Sequence, residues 1–282
     1  MKTMLIVFAH PSDESFLTGG TIAKYTALGW KVQLIIATNG EKGDSGTFTW
    51  AKDQALADLR KKESDAAARL LGIQEVFYLS QPDGALSTLS PGTLEDPITK
   101  KMEELKPDVV ITYDTTGFDN DPDRIKTCFA TTFAFQKYTE HIEELKQPET
   151  FRPGRGRVWK EAAREQMFGS RDPESKEPKL YYVCMPEHVT AYLQKVGVIP
   201  EESFDRPLYG LKDKFVTTSI DIDETKLIKG KALLCHETQK EKVDQFIDFD
   251  NHPLHKQEHF LLRMQGIHEV FMGKSDRVAE EL

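Results

Sequence analysis

Cysteine is scarce: the 282 residues hold only Cys128, Cys184 and Cys235, scattered and without a C-x-x-C pair. That excludes a disulfide framework and a cysteine-built structural zinc, and three lone thiols fit a reducing cytoplasm. Long apolar runs are missing as well, so no segment reads as an integral membrane span. Residues 1–9 carry one Lys and a short apolar run that stops at His10, Pro11 and Ser12 with no small-residue cleavage site. The expected location is therefore cytoplasmic. Positive charge is the minority sign, with 37 Lys and Arg against 46 Asp and Glu and a formal charge of -9. Nucleic acids and anionic membranes both select a basic surface, so neither is an expected partner. A G-x-G-x-x-G fingerprint is absent. Gly19 and Gly20 stand alone, which speaks against a dinucleotide site and for close packing of a helix. Repeats and low-complexity tracts are lacking too.

What is present is an alternation of strand-like and helix-like segments in a chain long enough to bury a sizeable core. Apolar runs at residues 4–9 and 31–38 flank a segment of helical spacing at 16–28, a βαβ unit. A long amphipathic helix is predicted over 53–71, with Leu56, Leu59, Ala66, Ala67, Leu70 and Leu71 able to share a face and Gly72 as its C-cap. Residues 76–79 read as a third strand, 94–105 as a helix, and 108–113 as a β-branched strand covered on both faces. Such an order implies an α/β fold, a Rossmann-like three-layer sandwich with a mostly parallel sheet and helices on both faces. In the second half, helices are expected at 124–138, 224–239 and 253–264, and strands at 180–184 and 215–222. One domain over 1–282 is expected, with an insertion at about 140–178. Its charge run reads most simply as a solvated face, and its length leaves room for a lid over the site.

In an open parallel sheet, ligands bind beyond the carboxyl ends of the strands. Three polar clusters fall there: His10-Pro-Ser-Asp-Glu14 after the first strand, Thr38-Asn-Gly-Glu41 after the second, and Asp114 with residues 117–124 after the fourth. A His and an Asp three residues apart can offer one nitrogen and one oxygen to a borderline cation such as zinc. The same turn also reads as an ordinary helix start capped by Ser12 or Asp13. His252, His255 and His259 stand at helical spacing and read as a surface stripe.

Several motifs carry a family resemblance. Residues 9–29, AHPSDESFLTGGTIAKYTALG, resemble the A-H-P-D-D-E opening of the LmbE-like (PIG-L) zinc N-deacetylases. Thr38-x-Gly-Glu41, Arg60-x-x-Glu63, LSQPDGAL at 79–86 and G-F-D-N-D-P-D-R-I at 117–125 follow in the family's order, as do KALLCHETQ at 231–239 and Glu258-His-Phe260. The resemblance implies N-deacetylation of an N-acetyl amino sugar or its conjugate, with a small amino-sugar ligand and zinc as cofactor; oligomeric state stays open, a homo-oligomer included. It implies zinc ligands at His10 and Asp13, with Arg124 at the third ligand's position. The general base falls at Ser12, the general acid at Asp121, a further catalytic residue at His236, and substrate contacts at Arg60, Asp83 and Asp123.

Ser12, Asp121 and Arg124 replace the family's Asp, His and His. Arginine stays protonated and has no lone pair, so Arg124 cannot ligate. Losing a general base typically costs about 10²- to 10⁴-fold in rate. Two rearrangements follow. Asp119, Asp121 and Asp123 alternate along one loop and can make an oxygen-rich site for a harder metal. Alternatively, Arg124 takes the cation's place, its fork gripping Asp13 and Asp121. The second arrangement also suits a catalytically impaired relative that binds a sugar-like ligand or a protein partner.

Overall fold

A computed structural model describes residues 1–146, 177–247, 252–270 and 279–282. The first half follows the predicted alternation: β1 (Thr3–Phe8), α1 (Asp13–Ala27), β2 (Lys31–Thr38), α2 (Gln54–Leu71), β3 (Glu75–Gln81), α3 (Glu95–Leu105), β4 (Val109–Tyr113) and α4 (Pro122–Lys146). Residues 4–9 and all of β4 are buried, as a strand covered on both faces requires. Their Ile, Val, Leu and Phe side chains form the main core with the inner faces of the helices. Gly72 ends α2 in the left-handed region at φ 79°, where a side chain would be strained.

After β5 (Lys179–Cys184) come α5 (Glu187–Lys195), a short hairpin of β6 (Glu202–Ser203) and β7 (Arg206–Pro207), β8 (Thr218–Asp221), α6 (Lys226–Leu233), α7 (Lys240–Ile247), β9 (Gln257–Gln265) and β10 (His268–Glu269). The main sheet runs β10-β9-β5-β4-β1-β2-β3, with β8 paired to β9. Pairing is parallel from β3 across to β5, and antiparallel where β9 meets β5, β8 and β10. The sheet is thus mostly parallel, with an antiparallel edge.

Two predicted helices differ. Residues 253–264 form a 3-10 turn (Pro253–His255) followed by β9. Alternating burial along Phe260–Met264 and pairing on both sides outweigh the helical spacing of the histidines. Residues 224–239 break after α6 into a 3-10 turn (Glu237–Gln239). The charge run of the 140–178 insertion falls mainly on residues 147–176, outside the described residues. Among the described residues, no helix is long and apolar enough to cross a membrane.

The second half packs against α1. A Cβ on Gly20 would lie 2.6 Å from the Ile222 side chain and one on Gly19 3.1 Å from Lys229 Cγ, so the glycine pair is what lets α1 approach. Beneath it, Glu258 of β9 accepts from the backbone N–H groups of Gly20 and Thr21 at 3.0 and 2.8 Å and from Lys229 Nζ at 2.7 Å.

Chain direction sets where the site falls. From β1 the chain moves to β2 on one side, and β4 pairs on the other, so the loops leaving β1 and β4 part and open a crevice at their carboxyl ends.

Candidate active site

The crevice is a cavity of about 690 Å3 whose lining includes His10, Ser12, Asp13, Arg60, Asp83, Asp121, Asp123 and Arg124. The loops leaving β1, β2, β3 and β4 meet there, the second through Lys42, Gly43 and Asp44. The turn after β1 places His10, and Ser12 takes φ 85° so that its carbonyl can accept from Ser15 and Phe16 and start α1. Asp13 opens α1. The loop after β3 presents Asp83, and the loop after β4 turns through Asp121, whose Oδ1 accepts from the Asp123 N–H at 2.8 Å and starts α4.

Asp13 is the most constrained carboxylate. Its oxygens accept from Arg124 Nη2 at 2.6 Å and Nε at 3.3 Å, and from the Tyr113 hydroxyl. The Arg124 Nη1 reaches Asp119 Oδ2 at 2.6 Å. The predicted fork on Asp13 is therefore present, but its second partner is Asp119 and not Asp121, because Asp121 is occupied in capping α4. Burial alone would raise the Asp13 pKa, yet the Arg124 guanidinium, together with His10 and the Tyr113 hydroxyl, outweighs it and holds the carboxyl well below the ordinary range.

His10 faces the other way. Its Nε2 lies 3.1 Å from Asp83 Oδ1 and 3.6 Å from Asp123 Oδ2, and its Nδ1 3.6 Å from Asp13 Oδ2. Burial disfavours the charged imidazole, but Asp123, Asp13 and Asp83 outweigh it and hold its pKa well above the ordinary value. Both Asp83 and Asp123 are aimed by backbone donors: Lys42 N–H to Asp83 Oδ2 at 2.8 Å, Gly84 N–H to Asp123 Oδ2 at 2.7 Å and Leu86 N–H to Asp123 Oδ1 at 2.9 Å. Asp121 is more open, and burial raises its pKa above the ordinary value despite His10 and Arg124 nearby.

Arg60 lines the cavity from α2 but is 5% exposed and donates to the Gly40 and Pro11 carbonyls at 2.7 and 3.2 Å. It braces two of the site's loops. Glu63, one turn later, accepts from the Thr238 N–H at 2.8 Å. His236, expected in the pocket, is 1% exposed and lies behind α1, with Nε2 3.0 Å from Ser15 Oγ and 3.2 Å from Glu14 Oε1. It is not among the cavity lining, because the chain turns inward after α6 and buries the ring under the helix. The histidine stripe is corrected too. His252 is 3% exposed, lines the cavity and packs with His255 around Phe246, at ring distances of 4.4 and 4.7 Å.

Two features escaped the sequence. Tyr113 closes β4 and holds both Asp13 and, as acceptor at 2.7 Å, the Ala9 N–H; its place at a strand's carboxyl end was the available signal. The cavity's apolar wall of Phe16, Leu193, Ile199, Phe204, Leu208 and Phe246 comes from distant segments with no local pattern to join them.

The family model described as GlcNAc-PI de-N-acetylase matches residues 5–135, the stretch that supplies β1 to β4 and every charged residue just named on their loops. Over that stretch the chain matches the PIG-L (LmbE-like) family. It is 28% identical over 262 residues, 84% of this chain and 80% of the relative, to a 1D-myo-inositol 2-acetamido-2-deoxy-alpha-D-glucopyranoside deacetylase of Mycolicibacterium vanbaalenii. It is 34% identical over 141 residues to a probable N-acetyl-alpha-D-glucosaminyl L-malate deacetylase 2 of Bacillus anthracis, covering 50% of this chain and 62% of that one. Among solved structures, it resembles the N,N'-diacetylchitobiose deacetylase of Pyrococcus horikoshii at TM-score 0.59 and 18% identity, over 94% of this chain and 85% of that chain. A 4-carboxy-2-hydroxymuconate hydratase of Pseudomonas putida resembles it equally, at TM-score 0.60 and 18% identity over 99% and 100%. The likeness to these structures shows the fold alone.

The family's metal does not fit at the position the resemblance assigned. A guanidinium lies against both oxygens of Asp13, a cation where a third lone pair is needed.

Proposed function

We propose that the chain is a hydrolase that removes the acetyl group from an N-acetylated amino sugar carried on a conjugate. The observation that carries this reading is the convergence of His10, Asp13, Asp83, Asp121, Asp123 and Arg124 on one cavity at the carboxyl ends of β1, β3 and β4, in a chain that matches the PIG-L family over residues 5–135. Relatives named as deacetylases of N-acetylglucosaminyl conjugates support the substrate class.

Amide hydrolysis needs a base to take a proton from water, positive charge near the developing oxyanion, and an acid for the departing amine. Asp121 suits the first and last of these roles: it is reachable, and its raised pKa brings it closer to neutral pH than an ordinary carboxylate. Arg124, fixed on Asp13 and Asp119, offers a stationary positive charge beside it. Asp83 and His10 line the polar floor for the sugar, and the wall of Phe16, Leu193, Phe204 and Phe246 takes the less polar partner of the conjugate. Ser12 stands where the family has its base and takes no proton near neutral pH, so turnover is slower than a full site would give, by about 10²- to 10⁴-fold. Zinc is the family's cofactor, and no step here runs through it at the Asp13 position.

The test is release of free amine and acetate from a panel of N-acetylglucosaminyl conjugates, followed by mass spectrometry. Wild-type protein is expected to yield both products, and Asp121→Asn to lower the rate by about 10²-fold or more. Binding of a conjugate without any acetate release would favour the second reading, a binding-only relative, which the Arg124–Asp13 pair and Ser12 support.

A further inference from the structure

His10, Asp83 and Asp123 adjoin the Arg124–Asp13 pair through His10, and one donor atom from each lies within 4.8 Å of the others. Bonds of about 2.0–2.2 Å from one zinc ion to a nitrogen and two oxygens put neighbouring donors roughly 3.3–3.6 Å apart in a tetrahedron. His10 Nε2 is already 3.1 Å from Asp83 Oδ1 and 3.6 Å from Asp123 Oδ2. The outer contacts are those of a ligand set. Backbone N–H groups of Lys42, Gly84 and Leu86 hold the two carboxylates, and the other imidazole nitrogen, Nδ1, faces Asp13. A carboxylate behind a ligating histidine orients the ring and raises its basicity.

Charge gives an independent reason. Among the described residues, the cavity lining holds six carboxylates (Asp13, Asp44, Asp83, Asp119, Asp121 and Asp123) against four cations (Lys42, Arg60, Arg124 and Lys242). Negative side chains therefore outnumber positive ones along the lining, which favours a cation in the cleft.

We infer that this chain has moved its metal seat: a divalent cation binds His10, Asp83 and Asp123, while Arg124 replaces the metal that the family holds at Asp13. One nitrogen and two carboxylate oxygens suit Zn2+ or Mn2+. The inference rests on reading this cleft as the reaction site, but it is tested without turnover.

The experiment titrates Zn2+ into the full chain, freed of metal by chelator, and follows Mn2+ by electron paramagnetic resonance. One equivalent of Zn2+ should bind. Asp13→Asn, an outer contact, should weaken it by about 10- to 100-fold, and Asp83→Asn, which loses a ligand, by more than that. Bound Mn2+ should show nitrogen modulation that disappears in His10→Gln. The spectrum of the unaltered chain needs no substitution, so a variant that misfolds, checked by circular dichroism, does not spare the idea. Failure to bind either ion overturns it. So does a loss in Asp13→Asn equal to or larger than that in Asp83→Asn, or a Mn2+ signal without nitrogen. If the cation binds as stated and no conjugate loses acetate, the proposed function fails and the metal seat stands.

Discussion

Replacing Arg124 with Ala removes the guanidinium on Asp13 and leaves a carboxylate whose side chain is 3% exposed. Breaking a buried pair from one side costs about 3–5 kcal/mol, because the remaining charge has lost its partner. The Tyr113 hydroxyl and the His10 backbone N–H still donate to Asp13. The loss should therefore fall at the lower end, about 3 kcal/mol at pH 7. At about 2–4 °C per kcal/mol, this lowers Tm by roughly 6–12 °C. The pH dependence carries the sign of a depressed carboxylate. Stability from the Asp13–Arg124 pair is fully present above the unfolded value of about 3.9 and fades as pH falls toward the much lower folded value. The gap between wild type and variant should thus be constant from pH 7 to about 5 and shrink below about 4. Urea denaturation across that range measures it. A gap under about 1 kcal/mol at neutral pH, the size expected of an exposed pair, would refute a guanidinium seated on buried Asp13, as would a gap unchanged down to pH 3.

Gly20→Ala should cost about 1–3 kcal/mol, since its Cβ would sit 2.6 Å from Ile222; an unchanged urea midpoint contradicts the close approach of α1. Lys229→Met strands Glu258 in the interior and should cost about 3–5 kcal/mol, much of it recovered when Glu258→Gln is added; additive losses in the double variant contradict the pairing. His252, held down at about 3 by burial and by the nearby His255 and Lys229, stays neutral in the folded chain while its unfolded counterpart protonates near 6.5. It therefore subtracts stability as pH falls below 6.5, and an imidazole NMR titration should show no midpoint between pH 5 and 8; one near 6.5 contradicts its burial.

The parallel core was legible because its strands are uninterrupted apolar runs and α2 stops at Gly72, which takes the left-handed conformation of a helix end without the strain of a side chain. The antiparallel edge was not. Residues 257–265 carry histidines at helical spacing, and only the partners β5 and β8, far away in sequence, decide for a strand. At the site, family motifs located His10, Asp13, Asp83, Asp121, Asp123 and Arg124 on one cavity. They misplaced His236, whose burial behind α1 depends on how α6 packs, and could not show that Arg60 spends its donors on Gly40 and Pro11. The exchange of Asp121 for Asp119 as the second partner of Arg124 was equally hidden, since it turns on which carboxylate caps α4.

Diffraction at the zinc absorption edge, on crystals grown with Zn2+, tests the central arrangement most directly. An anomalous peak bonded to His10, Asp83 and Asp123, with the Arg124 guanidinium still on Asp13, is the predicted result. A peak bonded to Asp13, with Arg124 swung away from it, would contradict the account.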